Sequence, residues 1–369
     1  MKKKLLFVIG SMNQTTQMHQ ISKELSEYDC WFTQVFVDSP VINFFLKYTS
    51  VFNGTIAAKH FREQAENHLR PLGCQFDYSG ALNKYDLVVY CTDLVVPDRF
   101  AFTKTLWVQE GMVDPYGKIS HIVKKLHLPP YFTGDTSLNG SSNACDVYCA
   151  ASQGYKDYFI KRGTEGSRIF TTGMPNFDNL RQYLYNDFPH KGYVMVATTD
   201  MRETLRPDNR KTFIKQCVEI ANGRQLLFKL HPNEIIERAV SEIKAYAPKD
   251  TLIYWAGNTN EMIANSVELI TQYSTVVYVG LALGIPVHSY FDLVDLKRQM
   301  PIQNSGTSVK NIANICRNFV EFEGKKEDFA KQFPYTSYAD EMDTMLNKLK
   351  VNKGKKDKNL PEVDEFELA

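Results

Sequence analysis

Residues 225–246 read QLLFKLHPNEIIERAVSEIKAY, and this stretch decides the fold. Gln225–Leu230 is an almost unbroken apolar run, the pattern of a strand covered on both faces. From Ile235 the apolar residues recur at helical spacing through Tyr246. Between them stand His231 and Pro232, with Pro232 expected in the first helical turn, where its missing N–H costs nothing. A buried strand running directly into a helix is one βα unit, and tandem βα units build parallel sheets with right-handed crossovers.

Similar units lie on both sides. Downstream, strands are predicted at Thr251–Tyr254, Leu269–Tyr273 and Pro286–Tyr290, with helices at Glu261–Asn265 and Ser274–Leu283. Upstream are a strand at Tyr193–Thr198 and a helix at Asn209–Asn222. The segment Phe188–Gly192 reads as a linker, before which a second series begins at the N-terminus. Its strands are predicted at Leu5–Ile9, Trp31–Val37, Asp86–Cys91, Thr105–Gln109, Asp146–Ala151 and Ile169–Thr172. Helices are expected at His19–Leu25, Thr55–Leu69 and Gly154–Arg162, and Ser11–Gln17 reads as a polar loop. The expected organisation is α/β, two Rossmann-like parallel-sheet domains facing a cleft. The expected bounds are residues 1–188 for the first domain and 189–345 for the second, with 346–369 a charged tail without fixed structure.

Composition narrows the function. Of 369 residues, 43 are Lys or Arg and 42 are Asp or Glu, so there is no overall basic field for gripping nucleic acid. The seven scattered cysteines read as free thiols in a reducing cytosol. The start Met-Lys-Lys-Lys-Leu-Leu-Phe-Val-Ile-Gly is too short in its apolar part for a signal peptide, and no segment has the length of a membrane span. A cytoplasmic protein is expected. Two stretches suit peripheral contact with the inner face of a membrane, the aromatic-rich Val41–Tyr48 and the basic-amphipathic Lys124–Leu128, although core packing and a solvated face account for them as well.

Ligands in such sheets bind beyond the carboxyl ends of the strands, so the candidate residues are sought there. Lys229, His231, Pro232 and Glu234 follow one strand and suit a diphosphate or phosphodiester. Ser274 and Thr275 follow another and are expected at a helix N-terminus, where free N–H groups and the helix dipole favour an anion; ordinary capping explains them too. Arg202 and Arg206 can bracket phosphates or simply line a charged loop. Glu110, in Gln109-Glu110-Gly111, can take a proton from an attacking hydroxyl. Asn13, Gln14, Thr15 and Gln17 offer an acceptor-side set of amides and hydroxyls, and His19 is a further acid/base candidate. The first βα turn lacks Gly-x-Gly-x-x-Gly, which argues against dinucleotide binding there.

These motifs resemble those of GT-B glycosyltransferases. Gly173-Met174-Pro175-Asn176-Phe177-Asp178 is similar to the interdomain turn of CDP-glycerol glycerophosphotransferase-like and epimerase-like members. Lys229-Leu230-His231-Pro232 and Ser274-Thr275-Val276 resemble donor-phosphate elements of capsule polysaccharide synthases. Gln109-Glu110-Gly111 resembles the turn that carries their catalytic base. Many such proteins place a ribose-holding Glu shortly after the Ser-Thr turn, where this chain has Val277-Tyr278-Val279-Gly280.

The resemblance implies an inverting transfer of a sugar or alditol phosphate from a nucleotide-activated donor to a glycan or lipid-linked acceptor, in bacterial surface polysaccharide synthesis. Glu110 would be the base, and His231 would act on the leaving phosphate. No cofactor is implied and no metal, since no Asp-x-Asp motif is present to hold one. The alternatives are a UDP-N-acetylglucosamine 2-epimerase-like isomerase, which calls for a Ser-Gly-Gly turn and paired Glu residues, or a non-catalytic nucleotide-binding relative.

Overall fold

The structure, a computed structural model, describes residues 2–38, 59–203, 206–342 and 344. Two parallel sheets account for its strands. The first comprises β1 (Lys4–Ile9), β2 (Asp29–Gln34), β3 (Gln75–Phe76), β4 (Leu87–Tyr90), β5 (Lys104–Val108), β6 (Val147–Ala150) and β7 (Ile169–Thr171), in the order β3-β2-β1-β4-β5-β6-β7. The second comprises β8 (Tyr193–Ala197), β9 (Leu226–Lys229), β10 (Leu252–Tyr254), β11 (Ser266–Thr271) and β12 (Val287–His288), in the order β10-β9-β8-β11-β12. Both orders reverse direction once, at β1/β4 and at β8/β11, and such reversal points open the crevices in which doubly wound sheets bind ligands.

Hydrophobicity explains the layering. Leu5–Ile9, Leu87–Tyr90, Leu106–Val108 and Val147–Ala150 are buried throughout, so the first sheet is covered on both faces. In the second, Val194, Val196 and Phe228 pack with Phe213, Ile214 and Ile243 from its covering helices. Around the first sheet the described helices are α1 (Met12–Lys23), α2 (Lys59–Leu69), α3 (Lys118–Lys125) and α4 (Gln153–Lys161). The second series contributes α5 (Arg210–Ala221), α6 (Ile236–Tyr246), α7 (Thr259–Ala264), α8 (Val277–Ala282) and α9 (Leu293–Gln299), and α10 (Ser308–Glu321) and α11 (Phe329–Gln332) follow.

Several expectations are corrected. Ser11–Gln17 is helix rather than loop. Ser11 is the N-cap of α1, its hydroxyl accepts from Gln14 N–H, and Gln14 Oε1 accepts from Ser11 N–H. This reciprocal cap is what a polar, loop-like composition conceals. Strand β2 ends at Gln34 rather than Val37. Pro232 is not in a first helical turn, because α6 begins at Ile236 after a separate turn. Helix α8 likewise starts at Val277, leaving Ser274 and Thr275 in the turn before it. The aromatic stretch 41–48, the start of the expected helix at 55 and the tail 346–369 lie outside the described residues.

Helix α10 was not anticipated, and it changes the connectivity. It returns to the first sheet and packs against α1 and β5, where Lys104 Nζ donates to Val320 O (3.1 Å) and Phe322 O (2.7 Å). The chain therefore passes between the sheets twice, once between β7 and β8 and once before α10. The Gly173–Asp178 turn ties the two passages together. Asp178 accepts from Ser308 N–H at the start of α10 (2.7 Å), and Asn311 Nδ2 donates to Thr172 O (3.0 Å). Gly173 has φ +83°, and a Cβ there would sit 2.1 Å from Ser308 Oγ, so the glycine serves both the turn and the close approach.

Further contacts join the sheets at the N-terminal end of α4. Tyr155 and Tyr278 share a buried hydroxyl–hydroxyl hydrogen bond of 2.7 Å, and Ser152 Oγ donates to Gln299 O (2.9 Å). Gly154 lies against the end of α9, where a Cβ would be 2.0 Å from Arg298 O. Gly154→Ala is therefore expected to cost about 1–3 kcal/mol through forced backbone displacement, read as a lowered denaturant midpoint.

Candidate functional site

The carboxyl ends of the strands place the candidate residues. In the second sheet Lys229, Ala197 and Thr271 stand in one row across β9, β8 and β11. At ordinary strand spacing the ends of β9 and β11 are thus roughly 10 Å apart. His231 follows β9 and Ser274 follows β11, so they flank the crevice beyond β8 from its two sides.

His231 is held by its backbone. Its N–H donates to Thr198 Oγ1 (3.0 Å) and to Glu234 Oε2 (3.0 Å). Its Nδ1 accepts from Asn233 N–H (3.2 Å) and lies 3.6 Å from Asp200 Oδ2. The side chain is about one-third exposed, so an imidazole fixed at Nδ1 keeps access to solvent.

Glu234, expected to touch a donor, is turned instead into a buried ionic network below this turn. Its Oε1 accepts from Arg210 Nη2 (2.8 Å), and its Oε2 accepts from Thr198 Oγ1. Arg210 also pairs with Asp208 (3.0 Å), whose Oδ1 accepts from Gln272 Nε2 (2.9 Å); Gln272 Oε1 accepts from Thr199 Oγ1 (3.0 Å). The side chains of Glu234 and Asp208 have no exposed surface. Their burial is tolerable because each carboxylate has a cationic partner and further donors. The network spans the β8/β11 reversal point and joins the ends of β8, β9 and β11.

Lys229 is corrected similarly. It is buried, its Nζ donates to Leu230 O (3.0 Å), and desolvation lowers its pKa below the usual lysine range. Arg202 is committed to Glu242 through two hydrogen bonds (2.8 and 2.9 Å), which hold its pKa up. Arg206 reaches across to the first half, pairing with Asp114 (3.0 Å). Burial acts to raise the Asp114 pKa, but Thr136 and Arg206 outweigh it and the carboxyl lies below its ordinary value. Pro232 is exposed at the turn, and Ser274 and Thr275 are half-buried. Ser274 Oγ accepts from Val276 N–H at 3.4 Å, a weak version of the expected cap. Val277–Gly280 are all buried, so none of the four faces a ribose.

On the first sheet, Glu110 follows β5. Gln14 Nε2 from α1 donates to it at 3.4 Å, with a further hydrogen bond from Asn13. Burial pushes the Glu110 carboxyl up to about 7, with those two amides acting in opposition. A carboxylate that titrates near neutrality is well matched to proton abstraction. Gln109 braces the turn. Its Nε2 donates to Gly111 O (2.9 Å), its Oε1 accepts from Ala151 N–H (2.9 Å), and its own carbonyl accepts from Gln17 Nε2 (3.0 Å). Gln17 and Thr15 are therefore interior residues rather than acceptor contacts, and Thr15 bonds back to Ser11 O (2.9 Å). Asn13 and Gln14 remain at the carboxylate. His19 stands against His68 of α2, and burial, then Lys23, then His68 lower its pKa.

The two halves meet at the Glu110 turn. A Cβ on Gly111 would lie 3.2 Å from Thr275 Cγ2, which places the residue after Glu110 against the Ser274–Thr275 turn. With Asp114–Arg206 alongside, the base candidate of one sheet is brought to the anion candidates of the other. Sequence reasoning missed Asp208, Arg210, Gln272 and Thr198; Thr198 and Gln272 directly follow β8 and β11, whereas Asp208 and Arg210 stand at the start of α5 and carried no such signal.

The sequence matches no family model, and no curated protein matches it. Solved structures do match. A candidate UDP-N-acetylglucosamine 2-epimerase from Listeria monocytogenes superposes with a TM-score of 0.58 at 14% identity, over 88% of this chain and 98% of that one. The UDP-GlcNAc 2-epimerase from Neisseria meningitidis, bound to UDP-GlcNAc, gives 0.53 at 14% identity, over 93% and 100%. The fold is GT-B. The wall teichoic acid polymerase TagF covers 97% of this chain and 90% of its own at 14% identity, but its TM-score of 0.43 carries no argument. At these identities the GT-B likeness establishes architecture alone. Among the described residues no helix is long and apolar enough to cross a membrane.

Proposed function

We propose that this chain is an enzyme acting on a nucleotide-activated sugar, and that it transfers the sugar or an alditol phosphate to a glycan or lipid-linked acceptor in surface polysaccharide synthesis. The observation that supports it most directly is the contact of the Glu110–Gly111 turn with Thr275, which brings a base of raised pKa beside a phosphate-suited turn. The donor lies in the crevice beyond β8, its phosphate met by the His231 imidazole and the Ser274–Thr275 turn. Glu110 takes the proton from the acceptor hydroxyl as the acceptor oxygen bonds to the transferred centre. The bond from that centre to the donor phosphate breaks, its electron pair leaves on the phosphate oxygen, and configuration inverts. His231 and the backbone N–H groups of the turn offset the developing charge.

A second reading, a 2-epimerase, is favoured by the neighbours of TM-score above 0.5. It needs several free carboxylates. Here Asp114, Asp208 and Glu234 are committed to arginines, and Asp200 accepts from Asn233 Nδ2 (2.8 Å). Incubation with UDP-N-acetylglucosamine alone separates the readings. The expected outcome is no conversion of the sugar without an acceptor; its epimerisation would replace the transferase reading. The donor class follows from thermal shift against CMP, CDP, UDP and GDP sugars. A true donor at about 100 times its Kd stabilises by about 2.7 kcal/mol.

A further inference from the structure

Helix α3 buries Ser120 and Val123 and turns its apolar stripe outward. Ile119, Ile122 and Leu126, at spacings of three and four residues, are 61%, 53% and 61% exposed. Phe132, on the turn that follows, is 60% exposed, and Leu128 between them is exposed as well. A stripe of this kind on an amphipathic helix normally faces a core. Here nothing among the described residues covers it.

Its charge is one-sided. Residues 116–134 contain Lys118, Lys124 and Lys125, together with His121 and His127, and no Asp or Glu, whereas the whole chain is near neutral. Lys124 turns inward to Ser141 O (3.3 Å) and to Arg162 O, so Lys118 and Lys125 are the cations left at the surface. The Arg162 guanidinium is held between the rings of Tyr116 and Tyr158, 4.3 Å from each, at the edge of the segment. In a two-fold contact between copies the same patch would face itself and set lysine against lysine. An anionic partner meets no such cost.

We propose that α3 and the turn through Phe132 form a docking surface for an anionic lipid bilayer. The apolar side chains stand along a helix surface, with lysines at its two ends whose stems can lie along the acyl boundary while their ammonium groups reach the phosphates. The segment follows the Glu110 turn by only a few residues, so docking sets the mouth of the crevice at the bilayer surface. The inference does not depend on which reaction the crevice performs.

Co-sedimentation of the full chain with phosphatidylcholine vesicles, with and without roughly one-third phosphatidylglycerol, tests it. Binding is expected on the anionic vesicles alone and should weaken with salt. Lys118→Gln/Lys125→Gln should lower partitioning roughly fivefold per lysine. Ile119→Ser/Ile122→Ser/Leu126→Ser should lower it on the order of a hundredfold with an unchanged thermal transition, because these side chains are exposed. Absence of binding to anionic vesicles, or equal binding by the serine variant, overturns the proposal. So does a concentration-dependent dimer that the serine substitutions dissolve, since a second copy would then cover the stripe.

Discussion

Replacing Glu110 with glutamine is expected to lower sugar transfer by about 10²–10⁴-fold while leaving the protein folded. Glutamine preserves the size of the side chain and its contacts with Asn13 and Gln14 but removes the proton acceptor. The pH dependence makes the expectation specific. Burial raises the carboxyl from 4.5 to about 7, so the competent base form accumulates only as pH rises through that value. kcat/KM of the unaltered protein should therefore climb about tenfold per pH unit below 7 and level off above it. The glutamine variant should lose this limb.

Stability moves in the opposite sense. A carboxyl whose pKa is raised by folding holds its proton more tightly in the folded state. Its contribution is most favourable below 4.5 and is lost as pH rises toward 7, so the ionised form opposes folding above that window. Glu110→Gln should therefore be more stable than the unaltered protein at pH 8 and nearly equal to it at pH 4. Denaturant titrations at the two pH values measure this. A variant that is inactive because it is misfolded would lose stability at both, and full activity of the variant would remove Glu110 from the mechanism.

The second large effect is expected at Arg210. Arg210→Met strands Glu234, a carboxylate without exposed surface, leaves Asp208 with only Arg202 at 3.7 Å as a cationic partner, and should cost about 3–5 kcal/mol in denaturant unfolding. Glu234→Gln keeps hydrogen bonds to Thr198 and His231 N–H in place and should cost less. The pair should be strongly non-additive in a double-mutant cycle, because Arg210→Met leaves Glu234 as an unpaired buried charge that the double change removes, whereas Glu234→Gln alone leaves Arg210 paired with Asp208. Additive losses would mean that Arg210 and Glu234 act independently.

The sheets were legible in the sequence because strands buried on both faces leave continuous apolar runs, such as Leu5–Ile9 and Tyr193–Ala197, and these runs need no neighbour to be recognised. Local chemistry was legible only where it coincided with exposure. Glu110 and His231 both follow strands, as the pattern placed them, and both are partly exposed. Glu234 and Arg202 carry the same charges in equally suggestive places, yet they are consumed by Arg210 and Glu242, partners 24 and 40 positions away. One-dimensional spacing does not reveal which charge is already neutralised. Ser11–Gln17 was misread for another reason: a helix whose first turns are interior but polar, with Gln14 and Gln17 bonded to the Glu110 turn, has the composition of a loop.

The return of α10 to the first sheet has a mechanical consequence. Two bodies joined by one strand of chain can swivel freely, but two separate tethers confine them. The segments between β7 and β8 and between α9 and α10 are clipped to each other through Asp178 and Ser308, so the two sheets are held by a doubled connection. The contact of the Glu110 turn with Thr275 is one that this doubled connection helps to hold. A severed tether would loosen their register without touching either residue.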